Sequence, residues 1–341
     1  MIVPLDRLAQ LFERLENLPI AVIGDIMLDR YIWGDAERIS PEAPVPIVFV
    51  NGETARLGGA ANVAWNVRTL GAKPLLFGVI GKDIFGQRFS DLLIEYEIDS
   101  EHIVVEKTRP TTAKTRIIAR GQQVLRIDRE NLIDISAAVE KKLMEKFMDS
   151  IDEVAGIILS DYGKGIICES LLKRIVPEAR KRNKFVAVDP KERHFNLYSG
   201  VSIVTPNTKE AGDAVDIKIR DYESLINAGN KLKELTGADN ILITRGAEGM
   251  SLFYSDGKIE NFPTMARDVY DVTGAGDSVV GVFTAVVSAG GTLREAAIIS
   301  SHAAGVVVGK LGTAAASKQE IIDSVKNEIN RDRKPDNILG E

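Results

Sequence analysis

The sequence predicts a doubly wound α/β domain on a mostly parallel sheet, with a small antiparallel β lid set against it. Three observations carry that expectation. Short β-branched runs recur without polar alternation, helical periods separate them, and two segments break the rhythm.

The runs are Ile20–Ile23, Gly156–Leu159, Phe185–Val188, Val201–Val204 and Ile241–Ile243. Each runs into polar residues: Gly24-Asp25, Ser160-Asp161, Asp189, Thr205-Pro206-Asn207 and Thr244-Arg245. Ligands of doubly wound sheets bind beyond the carboxyl ends of the strands, so these polar ends mark one edge as the site. Between the runs, Val63, Val67 and Leu70 sit at helical spacing, with Gly71 as the stop. Residues Ile167–Asn183, Asp221–Thr236 and Thr292–Gly309 also read as helices, the last opened by a Thr292/Glu295 capping box.

Two segments fall outside this pattern. Tyr31–Val50 holds Pro41, Pro44 and Pro46 among short apolar stretches. Thr111–Asp128 alternates, placing Arg116 and Arg120 on one face and Ile117 and Ala119 on the other, with a turn at Gly121-Gln122. Lid strands are expected over about 31–50 and 108–128, read as a cover for the site in preference to an ordinary edge sheet. Residues 1–330 are expected to form one domain, and 331–341 a polar tail.

Composition narrows the function classes. Over 341 residues, 45% are hydrophobic and 27% charged, with a net charge of −6 and no long basic run. That argues against nucleic acid as the main partner. No stretch has the roughly 20 apolar residues needed to span a bilayer, and the charged N-terminus is no signal peptide. The one cysteine, Cys168, forbids an internal disulfide, so a cytoplasmic protein with no membrane partner is expected.

The most specific motif is Asp271-Val-Thr-Gly-Ala-Gly-Asp277, followed by the apolar helix Ser278–Ala289. Gly274 and Gly276, with Ala275 between them, let backbone amides approach a ligand. The helix start adds unpaired N–H groups and a positive dipole end, which suit phosphoryl oxygens. Asp277 among those amides can take a proton from an alcohol. A plain glycine turn with an Asp cap is the alternative.

Four weaker motifs accompany it. Gly58-Gly59-Ala-Ala-Asn62 opens a helix with close approach and a bidentate amide, which is also a common helix start. Asp25 and Asp29 follow the first buried strand, where carboxylates accept sugar hydroxyls or cap a turn. Asn207 and Glu210, in Asn207-Thr208-Lys209-Glu210, can orient waters on Mg²⁺, or form a capping box. Thr244, Gly246 and Gly249 form a turn that suits nucleotide phosphates or merely approaches the hairpin at Ser255-Asp256-Gly257. No P-loop string, zinc-type His/Cys cluster or Gly-x-Ser-x-Gly elbow occurs.

In this order, the strings resemble the ribokinase-like, PfkB-type carbohydrate kinases from about Ile20 to about Thr313, although Val272 precedes Thr273 where that family often has Thr directly after the Asp. The resemblance implies the ribokinase-like fold, with ATP and Mg²⁺ as cofactors and a monovalent cation such as K⁺ in prospect. By it, Asp277 is the catalytic base and Gly274–Gly276 the anion hole. Asn207, Thr208, Lys209, Glu210, Thr244, Gly246, Gly249, Val306 and Gly309 fall on the nucleotide side. Asp25, Asp29, Gly58, Gly59 and Asn62 fall on the sugar side.

Within the family the chain is most similar to heptose 7-phosphate kinases, through Glu37–Pro46, Lys114–Arg116, Gln122–Asp128 and Ser160–Gly165. This implies phosphorylation of the anomeric hydroxyl of D-glycero-β-D-manno-heptose 7-phosphate, in ADP-heptose and lipopolysaccharide core synthesis. A stand-alone kinase is expected, since the sequence ends at Glu341. The far phosphate needs cations, and Arg116, Arg120, Lys164 and Lys191 are the candidates. A related kinase of a ketohexose phosphate, pentose or nucleoside, or a non-catalytic sugar sensor, are the alternatives. A homodimer through the lid strands is expected.

Overall fold

The structure, a computed structural model, describes residues 2–266 and 268–332. Of the tail expected at 331–341, residues 331–332 instead end the last helix, and 333–341 lie outside the described residues. The chain opens with α1 (Leu5–Arg14), β1 (Pro19–Gly24), β2 (Ile26–Ile39), β3 (Pro46–Gly59), α2 (Ala60–Thr69), β4 (Lys73–Gly81) and α3 (Ile84–Glu95). It continues with β5 (Ile103–Glu106), β6 (Ala113–Ala119), β7 (Gln122–Arg129), α4 (Ala137–Ser150), β8 (Gly156–Ser160), α5 (Glu169–Lys181) and β9 (Phe185–Asp189). Then come β10 (Ile203–Val204), α6 (Thr208–Val215), α7 (Tyr222–Thr236), β11 (Asn240–Thr244), β12 (Met250–Phe253) and β13 (Ile259–Phe262). Last are α8 (Ala275–Ser288), α9 (Leu293–Val307) and α10 (Lys318–Asp332).

Nine strands form the main sheet in the order β13-β12-β11-β10-β9-β8-β1-β4-β5. All its pairs are parallel except the hairpin edge β11–β12–β13. The apolar runs lack alternation because both faces are covered. On β1, Ile20 and Val22 pack into one core with Val63, Val67 and Phe283, while Ala21 and Ile23 enter the other with Leu143, Phe147 and Leu171. Burying each of the Val, Leu, Ile and Phe side chains stabilises by about 1.5–3 kcal/mol. Register aligns Gly24 with Ser160 and Ser160 with Asp189, which brings the polar strand ends to one edge. The α9 capping box is present, with Thr292 Oγ1 accepting from Glu295 N. No helix among the described residues is long and apolar enough to cross a membrane.

The small sheet, β3-β2-β6-β7, differs from expectation in two ways. It is mixed rather than antiparallel, because β2 and β6 run parallel. Its strands are also longer, since β2 begins at Ile26 directly after the β1 strand end and β3 runs to Gly59. The sheet therefore grows out of the ligand edge instead of being an insertion remote from it. Arg120 does not share a face with Arg116. It sits at φ 50° beside Gly121 at φ 76°, so Arg120-Gly121 is the hairpin turn, and Arg120 is exposed there.

Candidate functional site

Helix α8 begins three residues earlier than its apolar stretch, so the Gly-Ala-Gly string lies in its first turn. Gly274 is the N-cap at φ 82°, and a Cβ there would stand 2.8 Å from Asn62 Nδ2. Both backbone angle and space therefore demand glycine. A Cβ on Gly276 would meet nothing within 4 Å, so this position faces open cleft. Asp277 follows in the first turn and is only 3% exposed.

Both oxygens of Asp277 have donors. Asn62 Nδ2 donates to Oδ2 at 2.7 Å, and the Tyr162 hydroxyl donates to Oδ1 at 2.6 Å. Burial pushes the Asp277 carboxyl up to about 6, against those two donors, and the charge of Asp29 adds to the rise. A carboxylate poised near neutrality can act as a general base. Asn62 is itself fully buried on α2, and its Oδ1 has no partner among the described residues.

Two cavities meet at the Gly-Ala-Gly turn. One of about 190 Å³ is lined by Asp161, Tyr162, Asp189, Lys191, Asn207, Glu210, Gly274 and Asp277. The second, about 480 Å³ and largely apolar, holds Gly246, Gly249, Val269, Val272, Ala304 and Val308. Thr244 and Gly276 line both. A polar trough leading into an apolar chamber suits a ligand with anionic groups at one end and a flat ring at the other.

The polar trough is crowded with carboxylates. Asp189 is held well above its usual range by burial and then by Asp277, Glu210 and Asp161, with Lys191 opposing. Glu210 is raised by burial as well. An all-oxygen donor set under mutual repulsion fits a hard cation such as Mg²⁺. No group of three His, Cys, Asp or Glu among the described residues could hold a metal directly, so such an ion would keep waters. Asn207 and Glu210 form a reciprocal capping box, Asn207 Oδ1 accepting from Glu210 N at 2.9 Å. The box fixes both side chains at the cleft rim.

Several expected residues have other work. The buried Asp25 carboxylate accepts from the amides of Tyr162, Lys164 and Ile166 at 2.9, 2.9 and 3.0 Å, so it organises the loop after β8 rather than facing a sugar. Asp29 pairs with Arg116, which leaves that arginine neutralised, and a Cβ on Gly58 would strike Asp29 Oδ2 at 2.3 Å. Gly59, at φ 58°, lies against the Asp25 carbonyl. Thr208 Oγ1 donates to the Thr244 carbonyl at 3.1 Å. Lys209 is exposed and pairs with Glu192 and Asp213, away from the trough. Val306 and Gly309 line a different cavity behind α9, because the helical face towards the apolar chamber is Ser301, Ala304, Gly305 and Val308.

Of the four candidate cations, Lys191 lies in the acidic trough and Lys164 bonds Glu130 at 2.7 Å. A cation outside those four is Lys114, which lies opposite Asp29 on the small sheet. Burial, and then the nearby Lys164, hold its ammonium below the usual value, while Asp128 and Glu130 oppose the shift. The Lys114 ammonium makes no side-chain hydrogen bond or close ion pair among the described residues. Arg56 ties the small sheet to the loop after α9, donating to the carbonyls of Leu311 and Thr313, while Gly312 N donates to Asp271 at 2.9 Å.

The pfkB family carbohydrate kinase model matches residues 18–320. Bifunctional protein HldE of Paramagnetospirillum magneticum is 40% identical over 324 residues, 95% of this chain and 66% of that protein. Bifunctional protein HldE of Wolinella succinogenes is 44% identical over 304 residues, 89% of this chain and 64% of that protein. The chain thus spans just under two thirds of the length of these curated relatives. In fold it is similar to Arabidopsis thaliana ribokinase, solved with ribose and ATP, at a TM-score of 0.74 and 18% identity over 91% of this chain and 99% of that one. With a family match over most of its length, set on this fold and this cleft, the chain belongs to the pfkB family of carbohydrate kinases.

Proposed function

We propose that the protein is an ATP-dependent kinase that phosphorylates the anomeric hydroxyl of D-glycero-β-D-manno-heptose 7-phosphate. The observation that carries this is Asp277, a buried carboxylate near its proton-accepting range at a helix start whose amides open onto the cleft. The long strings similar to heptose 7-phosphate kinases favour the heptose over other sugars.

In this reading the acceptor oxygen attacks the γ-phosphorus as its proton passes to Asp277, and the bond from phosphorus to the β,γ-bridging oxygen breaks. Amides at the start of α8 face the phosphoryl oxygens. Asn207 and Glu210 would hold Mg²⁺ through water, and that ion supplies charge neutralisation on the triphosphate. The apolar chamber takes the adenine. A monovalent cation such as K⁺ belongs to the same proposal, read out by replacing K⁺ with Na⁺ in the assay. Residues 1–330 act as one kinase unit in the cytoplasm, covered by the small sheet.

Lys114, beside the Lys164–Glu130 and Arg126–Asp128 pairs, is the seat for the sugar's own phosphate, since its half-buried ammonium lacks a close ion-pair partner and a dianion would favour its charged form. Incubation with ATP, Mg²⁺ and the heptose phosphate, with fructose 6-phosphate and ribose in parallel, is expected to give a new anomeric phosphate by phosphorus NMR from the heptose alone. Turnover of only another sugar overturns the heptose assignment. Lys114→Ala is expected to raise the heptose phosphate KM by about tenfold or more, the value of one charged hydrogen bond, with kcat little changed.

Gly276→Ala places a methyl in open cleft where phosphates would lie, with no clash in the fold. ATP affinity is expected to fall by about tenfold while the melting temperature holds or rises slightly. Equal affinity by calorimetry would remove this turn from the nucleotide site. Homodimerisation through the small sheet is part of the proposal, supported by exposed Ile39, Phe49, Val50, Leu125 and Ile127. A monomeric mass in light scattering at micromolar concentration would count against it.

A further inference from the structure

The geometry points to Tyr162 as a positioning residue that holds Asp277 Oδ1 and keeps the base ionised for the acceptor hydroxyl. This rests on the kinase reading for its consequence, but its basis is the arrangement of the side chains themselves.

The phenol is held by a built scaffold. Asp25 accepts from the backbone N–H of Tyr162, Lys164 and Ile166, which clamps the loop after β8 from beneath. Gly163 takes φ 64°, and its N–H donates to Asp161 Oδ1 at 2.8 Å. Asp161 Oδ2 in turn meets the Tyr198 hydroxyl at 2.7 Å and His194 Nδ1 at 2.6 Å. The guanidinium of Arg109 donates to the carbonyls of Lys164, Asn131 and Ile133, closing the loop from the other side. The tyrosine backbone is thus fixed at several points, and its hydroxyl reaches one target, 2.6 Å away on Asp277.

Chemistry decides the direction of that bond. Burial holds the Tyr162 hydroxyl well above its ordinary value, and the charge of Asp277 adds to this, so the phenol stays protonated and donates to the ionised carboxylate. A permanent donor favours the ionised carboxylate. Around Asp277, Asn62 on α2 is the other donor, Asp29 approaches from the lid, and Asp189, Asp161, Glu210 and Lys191 line the same trough. Burial and the charge of Asp29 oppose ionisation, and the hydrogen bonds from Asn62 and Tyr162 counter them. When the acceptor hydroxyl gives its proton to Asp277, its oxygen bonds to the γ-phosphorus and ADP leaves with the bridging oxygen. Tyr162 loses no proton in this step. It holds the rotamer while a second lone pair of Oδ1 or Oδ2 stays open to the sugar.

Tyr162→Phe keeps the ring and removes only the donor. One charged hydrogen bond corresponds to about one pKa unit, so the midpoint of the Asp277 carboxyl is expected to rise by about one pH unit. Carbon-13 NMR of aspartate-labelled protein, with Asp277→Asn giving the assignment, reads this without substrate. The acid limb of kcat/KM should move upward by a similar amount, and kcat at pH 7 should fall by about tenfold with the sugar KM within about threefold. A purely structural tyrosine would move neither the carboxyl midpoint nor the acid limb. An unmoved midpoint, or an unmoved limb with kcat within about twofold, overturns the positioning role while leaving the kinase reading intact. A shifted midpoint in a protein that phosphorylates no sugar supports the geometry and defeats the kinase reading instead.

Discussion

Asp277→Asn is expected to lower kcat by about 10²–10⁴ while the KM of each substrate changes by less than about threefold. The substitution is nearly isosteric and sits at a site 3% exposed, so packing changes little. The asparagine oxygen can still accept from Asn62 or Tyr162, the donors on the present carboxylate. What disappears is the ability to take a proton. Residual turnover would come from the α8 amides and from substrate alignment, which the variant keeps.

The pH profile separates this from a loss of fold. Burial raises the Asp277 carboxyl to about 6, so kcat/KM of the native protein should fall roughly tenfold per unit as pH drops below that value. The variant should lose that limb and run flat at its low rate. Near-normal turnover in Asp277→Asn, or an unchanged acid limb, would remove Asp277 from the role of base.

The residues that were legible in the sequence share a feature: their position follows from chain-local rules. Asp277, Gly274 and Gly276 are tied to a helix start, and Asn207 and Glu210 to a capping spacing, so strand ends and helix starts were enough to bring them to one edge. What stayed hidden depended on contacts across the fold. Tyr162 is distinguished only by the 2.6 Å reach of its hydroxyl to a residue 115 positions away. Lys114 stands out only once the burial of its ammonium and the pairing of its neighbours Lys164 and Arg126 are known. Asp25 was found at the right edge, but its partners are amides that sequence cannot aim.

Two misplacements had signals that could have been read. Val306 and Gly309 are out of helical phase with the chamber, whereas Ser301, Ala304, Gly305 and Val308 recur at spacings of three and four along α9. Arg120 precedes a glycine between two alternating runs, and a two-residue hairpin needs positive φ at both centres, which takes Arg120 off the strand face. The parallel β2–β6 pairing carried no local signal, since strands joined through β3, α2, β4, α3 and β5 can pair in either sense.

Asp25→Ala is expected to destabilise the protein by about 3 kcal/mol or more at pH 7, the sum of three buried amides at about 1–3 kcal/mol each less the relief of a desolvated charge. Burial raises the Asp25 carboxyl to about 6 despite donors from Lys164, Ile166 and Tyr162, so ionising it in the folded state costs stability. The sign follows from linkage. The native carboxyl binds its proton more tightly than the unfolded one, so this group favours folding below about pH 4 and loses that contribution as pH rises through about 6. The variant lacks the linkage, and its deficit should therefore be larger at pH 5 than at pH 7 by about 1 kcal/mol. Urea unfolding at the two pH values checks both terms. A deficit below about 0.5 kcal/mol at each pH would mean that the loop holds its shape without the carboxylate. A large deficit would also carry Tyr162 and Lys164 with it, since both hang from amides that Asp25 accepts. Turnover should then fall in Asp25→Ala even under conditions where the protein stays folded. The carboxylate expected to face a sugar hydroxyl would thereby act on the reaction through the loop it holds.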